Sequence, residues 1–157
     1  MKFIIVFLII CVGVCMVFCD YLNYNYIIDS YYEDYDAAKK LGAISPQEPI
    51  ADMWIPSLLP ESAYNIFERH DLDSNRQWLK FSFDHNELQY ILKFCEPIEK
   101  EKVIFPRSNN IDWWPEDINK GNKNYSYYRC YKNVARVDFW IMVDNATNTV
   151  YFWSTKN

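Results

Sequence analysis

The sequence predicts an α+β domain, an antiparallel sheet packed by one main helix and preceded by an N-terminal hydrophobic helix. Three observations predict it. Segments with alternating or aromatic and β-branched composition recur after residue 61 and read as strands. One stretch after Asp84 carries apolar residues at helical spacing, and an unbroken apolar run opens the chain.

The opening run extends from Phe3 to Cys19 between Lys2 and Asp20, the polarity that places Lys2 on the cytoplasmic side. Its length is at the short end of the ~17–25 residues of a spanning helix and exceeds the ~7–15 residue core of a cleaved signal peptide. Val17 and Cys19 stand where a cleavage site needs small residues, but Met16 and Phe18 beside them are bulky. The reading is therefore an uncleaved single-pass anchor over residues 1–19 with the C-terminal domain outside the cytoplasm. The alternative is a signal peptide and a secreted or periplasmic product. Bulky Ile10, Val14 and Phe18 precede Cys11, Cys15 and Cys19, which argues against a lipoprotein signal.

Residues 20–41 read as a juxtamembrane helix, because Tyr24, Ile27, Ile28, Tyr31, Tyr35 and Ala38 fall at helical spacing before Gly42. Pro46, Pro49, Pro56 and Pro60 make residues 42–60 an extended linker. The compact α+β domain is residues 61–157. Within it Ala63–His70 and Gln77–Phe83 read as strands around a polar loop, Leu79, Phe81 and Phe83 marking a core face. Asp84 stands as an N-cap with Glu87 three residues on, and Leu88, Ile91, Leu92 and Cys95 follow as the apolar face of the main helix, bounded by Pro97. Val103–Phe105 reads as a short strand and Asp112–Asp117 as a brief helical turn. Tyr125–Tyr131, Ala135–Val143 and Thr149–Thr155 complete the strands, the last two flanking an Asx-rich hairpin loop at 144–148.

Composition excludes several functions. With 16 basic against 21 acidic side chains the chain carries a net charge of −5, so no concentrated basic face is available and nucleic acid is not an expected partner. The 3 glycines leave no phosphate loop, and the 2 histidines, His70 and His85, leave no His-rich metal centre. No cofactor and no metal site is expected. Asp71-x-Asp73-x-Asn75 opens like a calcium loop, but Arg76 stands where the turn needs glycine and Ser82 where the cation needs glutamate.

Four sets of residues remain as candidates. His70 with Asp71 or Asp73 has the composition of a general acid–base cluster, although no nucleophile signature accompanies it. Trp113 and Trp114 could stack on sugar rings, or serve as core aromatics. Cys95 and Cys130, the cysteines outside the apolar run, would either pair in an oxidising compartment or stay as two buried thiols. The remaining aromatics could furnish a protein contact surface.

Leu59-Pro60-Glu61-Ser62-Ala63, Asp71-Leu72-Asp73-Ser74-Asn75, Trp78-Leu79-Lys80-Phe81 and Val150-Tyr151-Phe152-Trp153 resemble a group of small exported or membrane-anchored bacterial proteins of unknown function, over roughly residues 54–157. The resemblance implies a bacterial envelope location and carries no catalytic residue. The functional expectation is thus a non-enzymatic membrane-anchored domain whose partner is an envelope protein. The alternatives are a glycan-binding module using Trp113 and Trp114 and a small hydrolase centred on His70.

Overall fold

The computed structural model describes residues 27–44, 58–106, 111–122, 124–130 and 137–156. The apolar run, and most of the region expected as a linker, lie outside the described residues.

The described chain is built on one antiparallel sheet of seven strands, in the spatial order β1-β2-β3-β7-β6-β5-β4. The strands are β1 (Ile27–Asp34), β2 (Tyr64–Asp71), β3 (Arg76–Ser82), β4 (Cys95–Pro97), β5 (Tyr125–Cys130), β6 (Val137–Asp144) and β7 (Thr149–Lys156). Two meanders, β1-β2-β3 and β4-β5-β6-β7, meet at the β3–β7 seam, where Trp78 faces Trp153 and Ser82 faces Thr149. Asparagines permit the sharp backbone steps: Asn75 and Asn148 take the left-handed conformation in the β2–β3 and β6–β7 connections, and Asn65 does so at the bulge in β2.

The expected α+β architecture with one main helix is corrected by this arrangement. The segment after Asp84 makes a 3-10 turn (His85–Glu87) and a single α turn, α2 (Leu88–Ile91). The Asp84 carboxylate does accept from the Asn86 N–H. Glu87, however, is drawn to Ser62, accepting from its N–H at 3.3 Å and from its hydroxyl, so no capping box forms. The chain leaves the helix after Leu92 because Cys95 is needed in β4, opposite Cys130, where the two sulfurs form a disulfide.

The expected helix over 20–41 is corrected as well. Within the described part, residues 27–34 are the edge strand β1, paired to β2 from Ile27↔Asp71 to Asp34↔Tyr64. Only Tyr35–Lys40 is helical, as α1, capped by Asp34, whose carboxylate accepts from the Ala37 N–H. Gly42 takes positive φ as the chain turns off the helix, leaving the Gly42 and Ala43 N–H groups to donate to the Lys39 and Ala38 carbonyls.

Both faces of the sheet are covered, without a main helix on either among the described residues. On one face Leu79, Phe81, Phe139, Ile141, Val143, Val150 and Phe152 pack under Ala38, Ala43, Ile44, Leu58, Leu59 and Ile91. On the other, Trp78, Trp140, Met142 and Trp153 pack under the irregular segments around Val103–Phe105 and Ile111–Ile118. The first of these was expected as a strand. It lies across the sheet instead, held by the Trp153 indole N–H donating to the Ile104 carbonyl and by Phe105 stacking on Trp153 at 6.0 Å. Asp112–Asp117 is a run of turns with no helix.

Candidate functional site

Cross-strand register sorts the polar side chains of the first meander onto two faces. On the face with Leu79 lie Glu68 and His70, since Glu68 pairs with Leu79 and His70 with Gln77. Glu68 is 0% exposed, and among the described residues neither carboxyl oxygen has a hydrogen-bond partner. His70 Nδ1 lies 3.8 Å from Oε1. Burial, reinforced by the negative charge of Asp29, pushes the Glu68 carboxyl up to about 8, so it is largely protonated at neutral pH. Beside it the Gln77 side-chain amide nitrogen is buried without a partner, and the Gln77 N–H donates to the Ser154 hydroxyl at 2.9 Å. The result is a polar corner in an otherwise apolar layer.

His70, Asp71 and Asp73, expected as an acid–base cluster, lie at the end of β2 and in the loop that follows it. His70 Nε2 lies 3.1 Å from the Asn75 side-chain oxygen. Asp71 instead organises the β2–β3 loop, accepting from the Asp73 N–H, the Ser74 N–H and the Ser74 hydroxyl at 3.1, 3.2 and 2.5 Å. The Ser74 hydroxyl bond is the main reason that its carboxyl is held below the usual range. Asp73 lies on the turn itself and is exposed. Among the described residues no group of three or more His, Cys, Asp or Glu could hold a metal ion.

The opposite face carries two cross-strand rows. In one, Trp78, Trp153 and Trp140 stand abreast, flanked by Arg69 and Arg129. The Arg129 guanidinium lies over Trp140 at 5.6 Å, and Arg69 grips Asp29 through two 2.6 Å bonds. In the neighbouring row Tyr31, Phe67 and Lys80 lie side by side. Phe67 is 4.8 Å from Tyr31 and 5.8 Å from Trp113, ring centre to ring centre, and the Lys80 ammonium sits 5.1 Å from its centroid. Tyr31 is 55% exposed, and Phe67, Lys80 and Trp113 are half-buried. The row is thus exposed at its Tyr31 end and half-buried towards Trp113.

The two adjacent tryptophans touch edge-on at 5.7 Å but differ in burial. Trp114 is 8% exposed and packs edge-on against Tyr151 and Trp153 at 5.5 and 5.8 Å. Trp113 joins the surface row.

Residues 27–82 match the family model of the YbbD head domain, a bacterial domain. The match covers about a third of the chain and runs from the first residue of β1 to the last of β3, so it coincides with the first meander. Both the polar corner and most of the aromatic row thus fall inside the YbbD-head-like segment, Trp113 being contributed from beyond it. The match agrees with the bacterial character implied by the sequence resemblance, and it says nothing of export or anchoring. No curated protein and no solved structure matches the chain.

Sequence reasoning missed Glu68 and Phe67. A signal existed for the first: Ile66, Glu68 and His70 alternate on one strand face, which sets an acid at a core position. Phe67 had none, since its partners Tyr31 and Trp113 are distant in sequence. A groove of about 530 Å³ at the other end of the sheet runs along Pro97, Lys100 and Tyr125–Tyr128. The Lys100 side chain crosses Gly121 there so closely that a Cβ would lie 2.9 Å from its ammonium, and Gly121 takes positive φ.

Proposed function

We propose that the chain is a non-enzymatic, membrane-anchored domain acting outside the cytoplasm by binding an envelope protein through the β1–β2 surface. The observation that carries this reading is the part-exposed row of Tyr31, Phe67 and Trp113 with Lys80 beside it. Aromatic side chains are prominent in the energetics of protein contacts, because large rigid rings bury area at small entropic cost. The Phe3–Cys19 run supports the anchor, and the Cys95–Cys130 disulfide suits an oxidising compartment. No helix among the described residues is long and apolar enough to cross a membrane, so the anchor reading rests on residues 1–19 alone.

The test is crosslinking of the full-length chain in native membranes, followed by recovery through a C-terminal tag. One reproducible protein partner is expected, lost in the double variant Tyr31→Ser, Phe67→Ser with the fold intact. Recovery of no partner, under conditions that capture known envelope complexes, would contradict the reading. Retention on purified cell wall that the same variant abolishes would transfer the surface to a glycan, stacked on Tyr31.

A further inference from the structure

The polar corner holds a group that the proposed binding surface does not use. Glu68 sits on β2 between β1 and β3, wholly buried, with both carboxyl oxygens unpartnered. Among the described residues no counter-charge lies at hydrogen-bond range. From β1 the opposite residue is Ser30, and the Asp29 carboxylate is held by Arg69 on the other face. From β2 itself comes His70, 3.8 Å away. From β3 come Leu79 and the Gln77 amide, while Arg76 and Lys80 alternate onto the opposite face. A carboxylate formed there would be a buried charge to which, among the described residues, no hydrogen bond is donated, which is strongly unfavourable. Either the carboxyl keeps its proton or the structure around it opens to water.

The seam most able to open is β1–β2. Among the described strands β1 pairs with β2 alone, and Ile27 and Tyr31 leave much of their apolar surface in water. An edge strand with so little burial belongs to the low-stability end of a domain. We infer that protonated Glu68 is a latch on this edge: while the carboxyl holds its proton β1 stays closed on β2, and ionisation releases the strand. The inference has a consequence that rests on the proposed function, because β1 carries Tyr31. The contact surface would be assembled only on the acidic side of the transition.

The sign follows from linkage. A carboxyl whose affinity for the proton is raised by folding contributes stability that is fully present below the ordinary carboxylate range near 4.5, and that contribution is lost as pH rises to about 8. Over that interval the unfolding or opening constant should rise up to about tenfold per pH unit, then level off.

The experiment is native-state hydrogen exchange of the full-length chain from pH 5 to 9, corrected for intrinsic exchange rates, with Glu68→Gln as the variant. Exchange at β1 and the facing amides of β2 should rise across the interval in the wild type and stay flat in E68Q, which keeps the shape and cannot ionise. An identical profile in both proteins, or an increase spread evenly over the sheet, would overturn the latch. Should E68Q fail to fold, carboxyl-labelled wild-type protein decides the question by NMR: titration of Glu68 well above the ordinary carboxylate range supports the latch, and titration within that range overturns it. Neither measurement involves a partner, so the latch and the binding role fail separately.

Discussion

Trp113 and Trp114 show how much one position can matter. Neighbours in sequence and identical in chemistry, they differ in burial and in their outer contacts: Trp114 is wedged edge-on between Tyr151 and Trp153, whereas half-buried Trp113 rests on Trp114 and Phe67. Replacing Trp114 by Ala should cost on the order of 3–5 kcal/mol of stability, the range for a buried tryptophan. Trp113→Ala should cost less than half of that and weaken partner binding instead. Chemical unfolding followed at unchanged m-value checks the first figure, and equal losses for the two variants would show that the faces are misassigned. Composition alone left both residues open between core and platform, and only the long-range packing separates them. The same holds for His70, whose acidic neighbour is Glu68, two residues back on the same strand face, rather than adjacent Asp71 on the opposite one.

Strands were easier to read than helices, for a physical reason. β3 and the β6–β7 hairpin announce themselves through alternating or continuous apolar runs, a local signal. The spacing of Ile27, Ile28, Tyr31 and Tyr35 fits a helix too, yet pairing with β2 decides the matter, and no local pattern carries that pairing. After Asp84 the helical period is real but brief. Leu88, Ile91 and Leu92 do face the core, while Cys95, the fourth member of the period, is claimed by the disulfide to Cys130. The short helix still matters energetically. Ile91 is 1% exposed, so Ile91→Ala should destabilise the domain by about 2–5 kcal/mol, against under about 0.5 kcal/mol if the helix merely lay on the surface. Thermal or chemical unfolding distinguishes those outcomes.

At the scale of the whole molecule, two meanders share the β3–β7 seam, and their outer strands differ in kind. The β4 edge is three residues long, ends in Pro97 and is stapled to β5 by the disulfide. Such an edge is closed to further pairing. The β1 edge is eight residues long, acidic and aromatic, and it bears the exposed end of the contact row. The asymmetry directs binding to the first meander, the part that resembles the YbbD head domain. The strand order was not legible in the sequence, because each of its pairings apart from the hairpins joins distant segments. The central claim, that the Tyr31–Phe67–Trp113 row is the contact surface, is tested most directly by photocrosslinking in native membranes. A photoreactive residue is placed at Tyr31, with a second at exposed Leu41 beyond the row as control. The account predicts one discrete protein adduct from position 31 and none from position 41. No adduct at 31, or the same adduct from both positions, would contradict it.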